Sequence, residues 1–442
     1  MKLFGTDGVR GEAGVAPLDP ETVARIGAAL GRASHRPGMR AVIGRDTRES
    51  GQWIEEALAR GLGAAGASSV SVGVVPTPAV AYLTKTEGFD LGLVISASHN
   101  PFHDNGVKVF SGAGEKFSAA QEREVEHLVA DTSWQVPPDA HGALPGGALV
   151  DHYIAHLRLI LASAGSLMGT RVVLDCANGA TSALAPALFR ELGFQVEVIG
   201  ASPDGRNINL GCGSTAMGPL QAAVVASHAR LGVAFDGDGD RALFVDHRGH
   251  RVDGDAVMLI CADQLRRASE LTGNAIVATV MSNIGLELAL ATRGVQLVRC
   301  PVGDKYVMEE MLARGLALGG EQSGHVIFAS HLFTGDGMAT ALHVLRAMIA
   351  TGDDLATLAS ALTTFPQVLV NVRVKARTDI SAVPPVARVM QDVESRLEGQ
   401  GRLLVRYSGT EPLLRIMLEG RDHGEITAWA EEIATAVRTH LA

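Results

Sequence analysis

Three aspartates spaced two residues apart are the strongest chemical signal in this sequence. Asp236, Asp238 and Asp240 directly follow the apolar run Leu231–Phe235 and are separated by glycines. In an extended segment, side chains at i, i+2 and i+4 share one face, so the three carboxylates can converge while the glycines let the backbone curl round them. Carboxylate oxygens suit Mg²⁺, Ca²⁺ or Mn²⁺ better than zinc. The segment therefore predicts a cation site at the end of a strand.

A helix-loop-helix calcium loop and an acidic surface turn are the two alternatives for this segment. The calcium loop needs a glycine at its sixth position and a glutamate at its twelfth, but Arg241 and His247 stand there. The flanking runs are typical of strands rather than helices. A solvated turn would leave three carboxylates repelling one another beside an apolar strand. The pattern favours a metal site over both alternatives.

Three further polar loops follow runs of Leu, Val and Gly. They are Ser96–Pro101, Gly320–His325 and Arg406–Pro412. Ligands of open α/β sheets gather beyond the carboxyl ends of strands. Four domains arranged around one cleft would therefore each contribute one loop to a common site.

The first of these loops contains Ser98 beside His99, outside the Gly-x-Ser-x-Gly context of a hydrolase nucleophile. Taken alone, the loop leaves a nucleophilic serine and a turn-forming serine equally open. The metal loop shifts the balance towards a catalytic serine.

The last loop combines charged side chains, a short hydroxyl and backbone amides, which together suit a phosphate dianion. These groups belong to Arg406, Ser408, Gly409, Thr410 and, beyond the loop, Arg415. Arg10 and Lys108 could add positive charge, although each alone is more often a surface cation.

The elements that must position these loops alternate between apolar strands and amphipathic helices up to Phe365, which predicts α/β units. The pattern after Pro366 predicts a small α+β domain. We predict an α/β protein with three similar mixed-sheet α/β domains and a C-terminal α+β domain around one central cleft. The predicted boundaries are 1–155 for the domain of the serine loop, 156–252 for that of the metal loop, 253–365 for that of the loop Gly320–His325 and 366–442 for that of the phosphate-binding loop Arg406–Pro412.

The segment Gly61–Gly66 matches the dinucleotide fingerprint GxGxxG, but it follows a helical pattern and precedes a strand. A phosphate-binding glycine loop has the opposite order. The match predicts the end of a helix and a turn.

Composition excludes several classes of protein. The 442 residues are 47% hydrophobic and 19% charged, with a net charge of −10, which argues against nucleic-acid binding. The amino terminus has no apolar signal core, and no run approaches the roughly 20 apolar residues of a membrane span. The four cysteines are widely separated, as expected of reduced, buried thiols. These features predict a cytoplasmic protein.

The four loops together resemble the α-D-phosphohexomutase family, whose serine, DGDGDR metal, sugar-recognition and C-terminal phosphate loops occur here in the same order. The resemblance covers essentially the whole chain. Within the family, Leu3–Gly11 and Gly320–His325 are similar to bacterial members that act on glucosamine phosphates. Other members usually have methionine or glutamate where Gln322 stands.

This resemblance implies that Ser98 carries a phosphoryl group and that one Mg²⁺ per subunit is bound by the phosphoserine and the three aspartates. Phosphoserine adds a charge of about −1.5 to −2 to the carboxylates. The divalent ion, with Arg241 and Lys108 nearby, would therefore be needed to hold the site together.

The implied reaction moves the phosphoryl group from the serine to the 1-hydroxyl of glucosamine 6-phosphate, forming glucosamine 1,6-bisphosphate. Recovery of the 6-phosphoryl group then leaves glucosamine 1-phosphate. Such an isomerase would feed UDP-N-acetylglucosamine and peptidoglycan synthesis. Its activation would need a kinase or a bisphosphate donor, either glucosamine or glucose 1,6-bisphosphate, and a homodimer is left open.

The resemblance also implies individual roles. Glu321 and Ser323 would read sugar hydroxyls, and Gln322 would favour the 2-amino sugar. Lys108 and His325 are alternative general bases, with neither preferred. The remaining implied catalytic and substrate-binding residues are His99, Arg10, Arg241, Arg406, Ser408, Gly409, Thr410 and Arg415.

Alternative functions remain open at this point. The nearest is the same chemistry on glucose or mannose phosphates, and the next is a metal-dependent phosphatase, in which water takes the phosphoryl group. A nucleotide-dependent sugar kinase is disfavoured because the sequence lacks a GxxxxGK[ST] loop. A noncatalytic sugar-phosphate sensor would not need both Ser98 and the metal loop.

Overall fold

The computed structural model describes residues 2–5, 7–137, 142–162, 167–397, 399–408 and 412–441. The chain divides into two compact units. The larger unit comprises Met1–Met281 and Val295–Ala361, and the smaller comprises Ser282–Gly294 and Leu362–Ala442.

The first sheet of the larger unit has seven strands and carries the serine loop. Leu91–Ile95 pairs parallel with Arg40–Arg45 on one side and antiparallel with Asp104–Ser111 on the other. The serine loop therefore joins two neighbouring antiparallel strands. The strands of this sheet lie in the order Phe4–Gly5, Gly8–Glu12, Asp104–Ser111, Leu91–Ile95, Arg40–Arg45, Ser68–Val74 and Leu144–Pro145.

The second and third sheets repeat this arrangement. In each sheet, a strand that runs parallel to its inner neighbour ends in a functional loop and returns as an antiparallel strand. The second sheet has the order Arg251–Val252, Ala242–Asp246, Leu231–Phe235, Arg171–Asp175 and Gln195–Ile199. The third has the order Gln296–Cys300, Ala275–Thr279, Leu318–Gly320 and Val326–Phe328.

Helices complete the larger unit, and two of them pack closely through glycines. A Cβ at Gly61 would lie 2.0 Å from the carbonyl oxygen of Ala24, and a Cβ at Gly27 would lie 2.3 Å from that of Leu58. Gly61 of the GxGxxG match therefore serves helix packing, and Gly66, with a φ of 78°, lies just beyond the helix end that the order of elements predicted. The α-helices are Pro20–Ala33, Gly51–Ala64, Thr77–Thr86, Ala119–Ala130, Val150–Arg158, Leu184–Glu191, Gly218–Ser227, Gly254–Arg267, Asp304–Arg314, Gly337–Thr351 and Leu355–Ala359.

The smaller unit is an antiparallel sheet packed against helices. Its strands lie in the order Gln367–Arg373, Leu413–Glu419 and Arg402–Tyr407. Its α-helices are Ile284–Ala291, Pro384–Leu397 and His423–Leu441. The three mixed sheets with helices and this C-terminal α+β unit confirm the predicted α/β class of domains.

Composition predicted buried thiols and no membrane-spanning segment. All four cysteines are buried and unpaired with one another. Among the described residues, no helix has the length and apolar character needed to cross a bilayer.

A buried histidine makes the larger unit sensitive to acid. His343 is 5% exposed, and its ring stacks on Phe328 with 3.9 Å between ring centroids. Burial, together with His331 and Arg346, lowers the pKa of His343 to about 3. An unfolded histidine titrates near 6.5, so this site contributes stability above about pH 6.5 that is lost as the pH falls towards 3.

We predict that His343→Phe flattens this acid dependence. The wild type should lose about 2 kcal/mol from this site by about pH 5, because the unfolded state then binds a proton that the folded state excludes. Urea unfolding at neutral and acidic pH measures the difference. The exposed His127→Gln variant should follow the wild type, and an equal acid dependence in His343→Phe would contradict the assignment.

Candidate active site

Ser98 occupies a fixed position in the serine loop. It is fully buried and has a φ of 50°, in the left-handed region. Its Oγ donates to Asp236 Oδ2 at 2.5 Å and lies 3.3 Å from His99 Nδ1. Burial, followed by the charges of Arg241 and Arg10, lowers the pKa of His99. The structure thus places the predicted serine directly against the predicted metal loop.

A buried arginine that the sequence analysis did not identify holds the serine loop. Arg48 donates from its guanidinium to the carbonyl oxygens of Ser98 at 3.0 Å, Asn100 at 2.9 Å and Asp104 at 2.9 Å, and also to that of Pro101. Its Nε pairs with the buried carboxylate of Asp46 at 2.9 Å. Three carbonyl oxygens of the serine loop and one from the start of the following strand therefore bind one side chain.

We predict that Arg48→Met destabilises the protein by about 3–5 kcal/mol. The substitution leaves Asp46 buried without its charged partner and leaves the loop carbonyls without donors. Urea unfolding measures the change. Arg45→Met is the matched control, because Arg45 pairs with Glu55 in a partly exposed position and should cost only about 0–1 kcal/mol. Equal costs for the two variants would contradict this role.

The three aspartates of the metal loop converge as predicted from their spacing. Asp236, Asp238 and Asp240 are at most 2% exposed, and each offers a carboxylate oxygen within 4.8 Å of the others. A Cβ at Gly237 would lie 2.4 Å from the carbonyl oxygen of Ser98, so only glycine allows this approach. Within the described chain, Asp238 Oδ1 and Asp240 Oδ1 are buried without a hydrogen-bond partner. These orphaned oxygens fit the coordination of a hard divalent cation.

The pKa values of the loop carboxylates also indicate a cation site. Burial and repulsion from Asp240 and Asp238 raise the pKa of Asp236 well above its ordinary value. Burial also disfavours the charge of Asp240, but Lys108 and His325 outweigh it and hold the pKa of Asp240 well below its ordinary value. A bound cation would relieve the repulsion felt by Asp236.

Lys108 is a buried cation rather than a surface lysine. Its Nζ donates to Asp238 Oδ2 at 2.7 Å and Asp240 Oδ2 at 3.0 Å, and it lies 3.2 Å from Asp7 Oδ2. Burial opposes the charge, but these three carboxylates raise the pKa of Lys108 well above its ordinary value. Lys108 is therefore protonated in this state and has no free lone pair for a proton.

Asp7 and two neighbouring residues extend the charged network. Asp7 binds Arg10, Lys108 and Lys116, and Lys116 also binds Asp304. Arg10 additionally donates to the carbonyl oxygen of Ala97 at 3.0 Å. Asp7 lies within the predicted Leu3–Gly11 segment, but neither Lys116 nor Asp304 was singled out by the sequence analysis.

The sugar-recognition loop contributes Glu321 to the same region. A cavity of about 590 Å³ is bordered by Glu321, Asp304, Arg10, His99 and Arg241. Glu321 Oε1 accepts the backbone N–H of Gly303 at 3.2 Å. The cavity therefore carries both cations and carboxylates on its wall, so it can bind anionic groups and hydroxyl groups of one ligand.

The other residues of this loop differ in their contacts. Gln322 Nε2 donates to Asp253 Oδ2 at 3.3 Å. Ser323 Oγ is buried and has no hydrogen-bond partner among the residues described. His325 is 1% exposed, its Nδ1 lies 3.6 Å from Asp240 Oδ2, and its Nε2 accepts the N–H of Gly335 at 3.0 Å.

The predicted phosphate loop lies in the smaller unit. Arg406 and Arg415 are directly opposite one another on neighbouring strands, and Arg415 Nη2 donates to Ser408 Oγ at 3.4 Å. Residues directly opposite on neighbouring strands lie on the same face of a sheet, so both guanidinium groups project from one face. Gly409 and Thr410 lie outside the described residues.

Comparison with known proteins defines the class. The chain belongs to the phosphoglucomutase/phosphomannomutase family: models of its α/β/α domains I, II and III match residues 1–136, 151–249 and 253–365, and the model of its C-terminal domain matches residues 369–436. Its relatives include the phosphoglucosamine mutases of Syntrophotalea carbinolica, 47% identical over 100% of this chain and 98% of that protein, and of Solibacter usitatus, 48% identical over 99% of each. The resemblance stated from the loops is thereby confirmed.

Solved structures agree in fold. A phosphoglucomutase/phosphomannomutase family protein from Burkholderia thailandensis has a TM-score of 0.81 at 24% identity and covers 98% of this chain and 97% of its own. Aspergillus fumigatus N-acetylphosphoglucosamine mutase in complex with GlcNAc-6P and magnesium has a TM-score of 0.66 at 18% identity. The match covers 99% of this chain and 95% of that protein's chain.

Proposed function

We propose that this enzyme interconverts glucosamine 6-phosphate and glucosamine 1-phosphate through a phosphorylated Ser98 and a glucosamine 1,6-bisphosphate intermediate. The observation that carries the proposal is the buried Ser98 hydroxyl, 2.5 Å from Asp236 in the aspartate cluster. The full-length similarity to phosphoglucosamine mutases supports the choice of sugar.

The serine loop and the metal loop would share the work of phosphoryl transfer. Arg48 fixes the backbone of Ser98, so its Oγ is held in one place while either end of the sugar reacts. Before phosphorylation, Asp236 Oδ2 accepts a hydrogen bond from the Ser98 hydroxyl. Mg²⁺ bound by the three aspartates and the phosphoserine would neutralise charge on the transferring phosphoryl group.

Charged residues around the cavity would bind the substrate. Arg10 and Arg241 border the cavity and can donate to phosphoryl oxygens, while Glu321 and Ser323 offer hydrogen bonds to sugar hydroxyls. We propose that Arg406, Ser408 and Arg415 bind a phosphate group of the substrate, because two guanidinium groups and a hydroxyl close together suit a phosphate dianion.

We place the reaction in the cytoplasm, where charged sugar phosphates are retained. The source of the first phosphoryl group, a kinase or a sugar bisphosphate, stays a prediction, as does a homodimer.

The proposed activity is tested by turnover with Mg²⁺ and a trace of glucosamine 1,6-bisphosphate. Glucosamine, glucose and mannose 6-phosphates are offered separately, and kcat/KM is measured for each 1-phosphate formed. The highest value should belong to the glucosamine substrate. Faster turnover of glucose or mannose phosphate would retain the mutase chemistry and overturn the choice of sugar.

Gln322 is the residue that we propose to favour the amino sugar. Its Nε2 donates to Asp253, so the amide oxygen is the atom that would accept a hydrogen bond from an ammonium group. Gln322→Met removes this acceptor, so the ratio of kcat/KM for glucosamine over glucose phosphates should fall by about tenfold. Ser323→Ala should affect both substrates alike. An unchanged ratio in Gln322→Met would remove this hypothesis.

A further inference from the structure

A short turn outside the four predicted loops touches both the metal loop and His325. The residues Gly335, Asp336 and Gly337, which we name the GDG turn, immediately precede and begin the helix Gly337–Thr351. The N–H of Gly335 donates to His325 Nε2 at 3.0 Å, and the N–H of Gly337 donates to the carbonyl oxygen of Gly239 at 2.9 Å. One turn therefore contacts two loops of the site through backbone donors two residues apart.

Both glycines of the turn are required by close approach. A Cβ at Gly335 would lie 2.6 Å from the carbonyl oxygen of Asp240 and 2.6 Å from the ring of His325. A Cβ at Gly337 would lie 2.5 Å from the carbonyl oxygen of Arg241. Any side chain would push the turn away from the metal loop.

Asp336 holds the turn from the opposite side. It is 1% exposed, and its Oδ1 caps the helix by accepting the N–H of Ala339 at 2.9 Å. Its Oδ2 accepts from Tyr153 OH at 2.8 Å and from His331 Nε2 at 2.8 Å. The carboxylate thus satisfies three donors, and two of them come from outside the helix that it caps.

The donors to Asp336 are themselves fixed. His156 Nε2 lies 2.5 Å from His331 Nδ1, and the ring of Tyr82 stacks on His156 with 4.7 Å between centroids. Burial and the neighbouring His331 lower the pKa of His156 to about 4, so this ring is neutral near neutral pH. A neutral His156 can donate to His331, which in turn donates to Asp336.

The contact at Gly335 determines where neutral His325 carries its proton. An N–H donor needs a lone pair on Nε2, so the proton lies on Nδ1, which faces Asp240 Oδ2 at 3.6 Å. We propose that the GDG turn is a positioning element that fixes the Nδ1–H tautomer of His325 and supports the metal loop, with Asp336 as its anchoring residue. Nε2 of His325, which also faces Asp304 Oδ2 at 3.8 Å, then accepts from Gly335 and is not available as a general base.

The tautomer itself provides a test that does not depend on activity or on metal. Nitrogen NMR on metal-free protein with isotope-labelled histidines, at a pH above the titration of His325, distinguishes the two tautomers, and His325→Gln assigns the signal. We expect the Nδ1–H form in the wild type. A dominant Nε2–H form would overturn the proposal.

The positioning role is tested with Asp336→Asn. The amide cannot accept both outside donors and still cap the helix, so the turn should shift and His325 should populate both tautomers. The kcat should fall by about 10–100-fold with KM for the sugar phosphate nearly unchanged, and half-activation should need more Mg²⁺. The control Asp354→Asn makes the same change at another helix cap, where Asp354 Oδ1 accepts the N–H of Thr357 at 2.8 Å and an amide oxygen can do the same, so kcat should stay within about twofold.

Wild-type kcat and an unmixed Nδ1–H tautomer in folded Asp336→Asn would overturn the proposal. If that variant does not fold, Tyr153→Phe removes one donor and leaves the cap, and it should lower kcat several-fold without changing KM; an unchanged kcat would also overturn it. The kinetic readout rests on the proposed function, but an inactive wild type would refute only that function, because the tautomer is read independently.

Discussion

Replacement of Ser98 by alanine should abolish the interconversion of glucosamine phosphates while leaving the protein folded. The serine is the proposed site of the phosphoryl group, and removal of a serine nucleophile costs on the order of 10⁴-fold or more in kcat. The loop should persist because Arg48 binds the carbonyl oxygen of residue 98 rather than its side chain. Steady-state kinetics and circular dichroism measure the two expectations.

Phosphopeptide mapping sharpens this prediction. Incubation with glucosamine 1,6-bisphosphate should place phosphate on the wild-type peptide that contains Ser98 and on no peptide of Ser98→Ala. Ser118→Ala is the control, since Ser118 caps the helix Ala119–Ala130 at an exposed position and should affect neither kinetics nor labelling. Mutase activity in Ser98→Ala within tenfold of the wild type would contradict the mechanism.

Asp236→Asn should lower activity and raise the stability of the metal-free protein. Three buried carboxylates repel one another, and this repulsion together with burial raises the pKa of Asp236. The amide removes one charge, so the free energy of unfolding without metal should increase by about 1 kcal/mol or more. The same change removes a proposed ligand, so kcat should fall by about 10²-fold or more.

Calorimetric titration with Mg²⁺ and urea unfolding in a chelator measure these opposite effects. Asp246→Asn is the matched control, because Asp246 is also buried, at the end of the neighbouring strand, but accepts backbone N–H groups from Arg248 and His250. That variant should lose stability and retain Mg²⁺ affinity. Unchanged Mg²⁺ affinity in Asp236→Asn would show that the cluster is not the cation site.

The sequence allows the metal loop to be predicted because its signal is local. The strand Leu231–Phe235 is apolar at every position, and the aspartate spacing needs only an extended backbone to bring the carboxylates together. The structure places these side chains within 4.8 Å of one another. Loop order and strand ends likewise predicted the three α/β sheets.

Roles that depend on contacts distant in sequence are hard to predict from a local pattern. Lys108, in the strand Asp104–Ser111, was predicted near the metal loop only through the family resemblance, because its partners Asp238 and Asp240 lie about 130 residues away. Arg48 belongs to no motif, because its role depends on where the carbonyl oxygens of the serine loop and of Asp104 converge. Only the folded chain identifies this role.

The role of the GDG turn was also not predicted from the sequence. Its sequence is typical of a simple turn before a helix, and its backbone contacts involve His325 and Gly239 in two different loops. The glycines are needed for distance rather than for positive φ, and a sequence pattern does not distinguish these needs. The choice between Lys108 and His325 as general base stays a prediction: in this state Lys108 is charged and the Nε2 of His325 accepts the N–H of Gly335.

Single-turnover transfer from the phosphorylated enzyme tests the central claim most directly. Enzyme carrying radiolabelled phosphate on Ser98 is mixed with excess unlabelled glucosamine 6-phosphate and Mg²⁺, and the products are separated within the first turnover. The proposed mechanism predicts that the label appears in glucosamine bisphosphate and monophosphate and leaves the protein at the rate of turnover. Release of the label as inorganic phosphate, with no labelled sugar, would contradict the mutase and establish a phosphatase.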